Sequence, residues 1–319
     1  MSITDSIVNY RRFLKRRNFS SNTVKNYINT LKHFVVWIGV PIEDAERRHV
    51  LAYIDYLLDR RLCPKTINCH LNSIRRFYDY LRYEEDIRIP NPCKSRYALR
   101  QPRPLPRCLK QEEVSRLFDV IHSIRDRAMF MLMLRCGLRV EEVTRLKIGA
   151  VDLARRKLVV QNGKGGKDRV VYVSNDACEA LAKYLRVRPS TRGRQIFLVE
   201  KGTCKGKPIS VRGVQKRMEY YAGKSGVKAS CHQLRHTMAT QMLNAEADLV
   251  TIQDLLGHSC ITTTQRYCKV SNLKVQKDYF KAMDRLRHRN GVNRRRYCLP
   301  RDRSLEDPLE AKSALTESS

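Results

Sequence analysis

The chain has 319 residues, 42% of them apolar, enough for two domains with cores of their own. Its 63 Lys and Arg against 32 Asp and Glu leave a formal charge of +31, which points to a polyanionic partner and first of all to nucleic acid. No run approaches ~18 consecutive apolar residues, and the opening M-S-I-T-D-S-I has neither a charged head nor an apolar signal core; a membrane partner is excluded and the expected location is cytoplasmic.

Residues 1 to 88 read as helices. Ile7, Tyr10, Phe13 and Leu14 form one apolar stripe, and Val24, Tyr27, Ile28, Leu31, Phe34, Val35 and Ile38 form a second after the cap cluster Ser20, Ser21, Asn22. Val50, Tyr53, Ile54 and Leu57 make a third. Pro64, allowed in a first turn, opens a fourth through Ile67, Leu71, Ile74, Phe77, Tyr78 and Leu81. Pro90, Pro92, Pro102, Pro104 and Pro106 then interrupt any helix, and the arginines among them, Arg103 included, make residues 90–107 an expected basic, semi-rigid linker.

Beyond Cys108, Val114 to Ile121 and Ser123 to Leu134 have helical spacing, with Gly137 placed to end the second helix. Arg139 follows at the start of another helix through Leu146. Two β-rich runs, Leu158–Gln161 and Arg169–Val173, flank N-G-K-G-G-K-D and predict a hairpin with a basic tip; the G-x-x-x-x-G-K-[ST] spacing of a phosphate-binding loop is absent. Asp176–Leu185 reads as helix, Gln195–Val199 as a short strand and Ser210–Tyr221 as a basic helix able to lie against DNA.

The stretch from Ser230 to Tyr267 concentrates the chemistry. His232 and Arg235 are three apart on a helix whose apolar positions are Leu234, Met238 and Met242, which pairs a proton-transfer group with a phosphate fork. The run Leu249 to Leu256 stops at Gly257, so His258 falls at a sharp helix exit. Thr262 and Gln265 have capping-box spacing and predict a short helix carrying Tyr267. A tyrosine, with an ordinary pKa of about 10, acts as a nucleophile only beside positive charge or a base. A final helix is expected over Leu273 to Leu286. Residues 290–319 are polar and acidic with little apolar content, and disorder is expected there. The eleven cysteines contain no C-x-x-C pair, so reduced thiols are expected and no metal site.

The segments H-Q-L-R-H (His232–His236), L-L-G-H-S (Leu255–Ser259) and T-T-Q-R-Y (Thr263–Tyr267) resemble the C-terminal motifs of the tyrosine recombinases, or phage integrases, and most closely their Xer-like members. C-G-L-R-V-E-E-V (Cys136–Val143) resembles the family's first arginine box, and N-G-K-G-G-K-D-R (Asn162–Arg169) its lysine hairpin. The resemblance implies a mainly α fold with a small β-sheet: a helical, SAM-like core-binding domain over residues 1–89, the linker 90–107, a catalytic domain over 108–289 and the tail 290–319. It implies catalytic roles for Arg139, Lys164, His232, Arg235, His258 and Tyr267, with Glu142 at the acidic position of the first box. It further implies a clamp on double-stranded DNA, with phosphate contacts from Lys25, Lys65, Arg75, Arg76 and Arg103, and a synaptic homo-tetramer or a hetero-tetramer with a related recombinase.

Neither a cofactor nor a small-molecule substrate is expected. After Tyr267 the sequence runs C-K-V where Xer-like proteins often carry T-H-V, and the tail beyond Tyr279 is unlike a housekeeping Xer protein; both shift the expectation to a mobile-element recombinase. With no arm-binding domain before residue 1, recombination at short, simple sites is expected. The competing expectations are a type IB topoisomerase-like relaxing enzyme and a non-catalytic DNA-binding regulator.

Overall fold

The computed structural model describes residues 3–102, 107–161, 168–257, 279, 280 and 283. Two compact units emerge, Met1–Pro104 and Leu105–Ser319.

In the first unit the four stripes become α1 (Ile3–Arg16), α2 (Ser21–Ile38), α3 (Arg47–Asp59) and α4 (Pro64–Glu84). Ser20 caps α2 by accepting the Thr23 N–H at 3.1 Å, and Gly39 ends it in the left-handed region at φ 65°. The stripes meet in an aromatic core: the Tyr10 ring lies 5.3 Å from Phe77 and 5.0 Å from Tyr80, and Phe34 lies 5.1 Å from Tyr53. The expected linker does not leave the unit at residue 90. Cys93 is buried in this core, and the Asn68 side chain bonds both the N–H and the carbonyl of Leu99, each at 2.8 Å. Those exchanges satisfy backbone that a free strap would leave to water.

The second unit is built on α6 (Ile124–Arg135), buried on all sides from Ala128 to Leu134 and packed against α8 (Asn175–Val187) and α10 (Cys231–Asn244). Around it lie α5 (Gln111–Asp119), α7 (Val140–Arg145), α9 (Val211–Ser225) and α11 (Leu249–Leu256). The hairpin is present as β2 (Lys157–Val160) and β3 (Arg169–Tyr172), paired antiparallel with Val160 opposite Arg169, and β1 (Val151–Asp152) adds a third strand in the order β1-β2-β3. Leu158, Val160 and Val171 face the core while Val159, Val170 and Tyr172 face outward, the alternation expected of a sheet covered on one side. The strand expected at Gln195–Val199 is reduced to isolated bridges, Lys147 to Gln195 and Leu198 to Pro208. Ile196, Phe197 and Leu198 are nonetheless fully buried, so burial rather than a ladder fixes the segment.

The basic helix expected at Ser210–Tyr221 forms, but part of its charge is spent inside the protein. Asp126, with no exposed surface, accepts from Arg217 Nε at 2.6 Å and from Arg125 Nη2 at 2.7 Å, while the Tyr221 hydroxyl donates to it at 3.1 Å. Those donors replace the water that burial takes from the carboxylate.

Candidate active site

Arg139 is the residue before α7, held in extended backbone at φ −74° and ψ 153°. Its own N–H and its Nη1 both donate to the Glu142 carboxylate at 2.8 Å, and Nη2 donates to the carbonyl of Gly257 at 3.2 Å. Its side chain remains 23% exposed. His232 and Arg235 lie on the first turns of α10, which Ser230 caps, as the three-residue spacing predicts. His232 is exposed, with its ring 4.1 Å from that of His236. Arg235 is only 1% exposed and donates Nη1 to the Gly137 carbonyl and Nη2 to the Leu256 carbonyl.

A fourth group, Arg169, completes the arrangement. Its Nη1 and Nη2 fork onto the two oxygens of Glu142, each at 2.8 Å, and its Nε donates to the Leu255 carbonyl at 2.8 Å. Three successive carbonyls at the end of α11, those of Leu255, Leu256 and Gly257, therefore accept from Arg169, Arg235 and Arg139 in turn. The last carbonyls of a helix have no partner within it and carry its negative pole, so cations gather there for two reasons. Gly257 makes this possible: at φ 59° it turns the chain in the left-handed region, and a Cβ on it would lie 3.0 Å from Arg169 Cδ.

Glu142 is the carboxylate that both Arg139 and Arg169 engage. Burial pushes its pKa up, but the hydrogen bonds from Arg169 and Arg139 outweigh that and hold it at about 2. The depressed value means that the pairing stabilises the fold fully above about pH 4.5 and loses that contribution as the pH falls towards 2. Three guanidinium groups against one carboxylate leave the site with a surplus of positive charge, as an anion-binding site requires. The entry of the chain into this unit is tied to the same helix: the Leu109 N–H donates to the Thr237 hydroxyl at 2.9 Å, and that hydroxyl donates to the Gln233 carbonyl at 2.8 Å.

Of the six expected catalytic residues, Arg139 and Arg235 converge on the end of α11, and His232 lies three residues before Arg235 on α10. Lys164, His258 and Tyr267 lie outside the described residues. Their neighbours in the chain frame the cluster, however, since Arg169 follows the loop that holds Lys164 and Gly257 precedes His258. Of the expected phosphate contacts, Lys25, Lys65 and Arg76 are exposed on α2 and α4, with the Arg76 guanidinium 5.9 Å from the Phe19 ring and 5.7 Å from that of Tyr27. Arg75 is half-buried, and Arg103 lies outside the described residues. Arg169 was not singled out by sequence reasoning; its position one strand residue beyond a glycine-rich turn, where an outward side chain would be polar and an inward one apolar, was the available signal.

No helix among the described residues is long and apolar enough to cross a membrane. Family comparison agrees with the fold. A profile described as "Phage integrase family" matches residues 107–274, and one described as "Phage integrase, N-terminal SAM-like domain" matches residues 7–86. The tyrosine recombinase XerA of Thermococcus kodakarensis is 32% identical over 278 residues, covering 86% of this chain and 94% of its own. The tyrosine recombinase XerC of Staphylococcus saprophyticus is 30% identical over 291 residues, covering 86% and 95%. Among solved structures, the Tn1549 transposon integrase in complex with transposon right end DNA superposes with a TM-score of 0.69 at 18% identity, over 82% of this chain and 94% of that one. A lambda integrase dimer bound to a COC' core site gives 0.67 at 19%, over 84% and 95%. The chain belongs to the phage integrase family. Within that family it is of the Xer-like type, a tyrosine-type site-specific DNA recombinase.

Proposed function

We propose that the protein cuts and rejoins double-stranded DNA through a 3′-phosphotyrosyl intermediate, using Arg139, Lys164, His232, Arg235, His258 and Tyr267. The Tyr267 oxygen attacks the scissile phosphorus, the tyrosine proton passes to His232, and the bond from phosphorus to the 5′-oxygen breaks as Lys164 protonates that oxygen. A 5′-hydroxyl from a partner duplex then reverses the step. One phosphodiester is exchanged for another through the covalent link, so no nucleotide is consumed. Arg139 and Arg235 fork onto the non-bridging oxygens as charge builds there, with His258 as a third donor. Because Arg235 is enclosed at 1% exposure, DNA binding must shift its surroundings before phosphate reaches it.

The observation that carries this reading is the convergence of Arg139 and Arg235 on the last carbonyls of α11, immediately before His258. Lys25, Lys65, Arg75, Arg76 and Arg103 supply phosphate contacts; residues 1–89, with the chain through Leu99 packed on them, form the core-binding domain, the remainder of 90–107 is the strap, 108–289 the catalytic domain and 290–319 a tail. The working form is a cytoplasmic tetramer on two DNA sites, of one chain or with a related recombinase. The C-K-V after Tyr267 and the tail beyond Tyr279 support a role on a mobile element.

Supplying the protein with two copies of its site on one plasmid should yield excised or inverted product. A topoisomerase-like enzyme would relax supercoils without exchanging the sites, and a non-catalytic regulator would do neither.

A further inference from the structure

We propose that Arg169 is a positioning residue for the cleavage step, a role that rests on the function proposed above. It is the first residue of β3 and immediately follows the segment bearing Lys164. It ties that strand to two other parts of the site at once, the Glu142 carboxylate and the α11 end that leads to His258. With its side chain 9% exposed and all three of its nitrogens engaged, it holds protein groups and leaves DNA contact to others.

The chemistry depends on Arg169 through Glu142. The buried carboxylate takes four hydrogen bonds, two from the Arg169 fork and two from the side chain and backbone of Arg139. Arg139 alone would give the carboxylate one guanidinium against the full cost of burial. The Glu142 pKa would then climb from about 2 towards and past the ordinary carboxylate range. A protonated Glu142 no longer offers Arg139 a charged acceptor, so the guanidinium loses the contact that sets its orientation before phosphate arrives. The absent side chain at Gly257 belongs to the same device, because any Cβ there would press on the Arg169 stem at 3.0 Å.

The test uses the full chain and a nicked duplex that traps the covalent adduct, with single-turnover cleavage rates measured from about pH 5 to 9. In Arg169→Met, cleavage near neutral pH should fall about 100-fold, while DNA affinity stays within about 2-fold, because reactive geometry is lost and phosphate contacts are kept. A second acid limb, beyond the one that protonation of the base His232 gives the parent, should appear in the rate profile as the Glu142 carboxyl titrates in the working range. Adding Glu142→Gln should remove that limb. Arg169→Lys, which keeps the charge and loses the fork, should show a smaller loss and a weaker limb, and it carries the test if Arg169→Met does not fold. A variant profile parallel to the parent, or a loss confined to DNA affinity, would overturn the role. Failure of the parent itself to cleave would instead defeat the function on which the role rests.

Discussion

Arg235→Lys is expected to slow covalent cleavage by about 100- to 1000-fold, the usual consequence of removing one preorganised donor from a developing oxyanion. Lysine keeps the positive charge but presents a single ammonium where arginine presents a planar fork. Here the fork is already used by the protein, since its two terminal nitrogens donate to two different carbonyls, those of Gly137 and Leu256. One ammonium cannot span both acceptors in that geometry, and a buried carbonyl left without a donor costs about 1–3 kcal/mol. Stability should therefore drop along with rate, and the two effects separate by experiment: thermal unfolding reports the first, and adduct formation at saturating DNA, well below the unfolding midpoint, reports the second. DNA affinity measured by titration should change far less than either, because most of it comes from the many other cations along the phosphates. Cleavage at an undiminished rate would remove Arg235 from the reacting phosphate.

The second large effect belongs to a residue with no side chain. Gly137 sits at φ 63°, and a Cβ there would lie 2.9 Å from Leu256 Cδ2 and 3.2 Å from Met238 Sδ. Leu256 is fully buried and Met238 nearly so, which leaves little room for either to retreat. Gly137→Ala adds the strain of a left-handed non-glycine residue to that overpacking, for a combined cost of about 3 kcal/mol. In a unit of this size the unfolding midpoint should fall by about 6–12 °C. Because the Gly137 carbonyl also holds Arg235, the surviving folded protein should cleave more slowly, whereas a shift in stability alone would leave the rate below the transition unchanged. An unfolding midpoint equal to the parent's would mean that this turn is looser than the geometry requires.

Both effects turn on backbone, and backbone is where sequence reading loses sight of the site. The apolar stripes foretold the helices because burying one face is what stabilises a helix in water, and Ser20 and Gly257 marked ends by chemistry that those positions demand. Arg139, His232 and Arg235 were legible as residue types in recurring company. That their partners are three consecutive carbonyls of α11 was not legible, since every residue has a carbonyl and only the fold decides which of them lack a partner. Charge misled for a related reason. Arg217 counts towards +31 as exposed Lys25 does, yet it is drawn to buried Asp126. The segment around Phe197 looked like a strand because it is apolar, and its burial is real, but it has only single bridges where a strand needs a ladder. In the same way β1, two residues long, is too short to leave a period.

Covalent capture tests the central claim most directly. The protein is incubated with a nicked DNA duplex carrying its site, the adduct is digested with protease, and the peptide bearing the nucleotide is identified by mass. The expected result is a 3′-phosphate joined to Tyr267 in the parent chain and no adduct in Tyr267→Phe, with DNA binding intact because the ring is retained. An adduct on another residue, or one that persists in Tyr267→Phe, would contradict it.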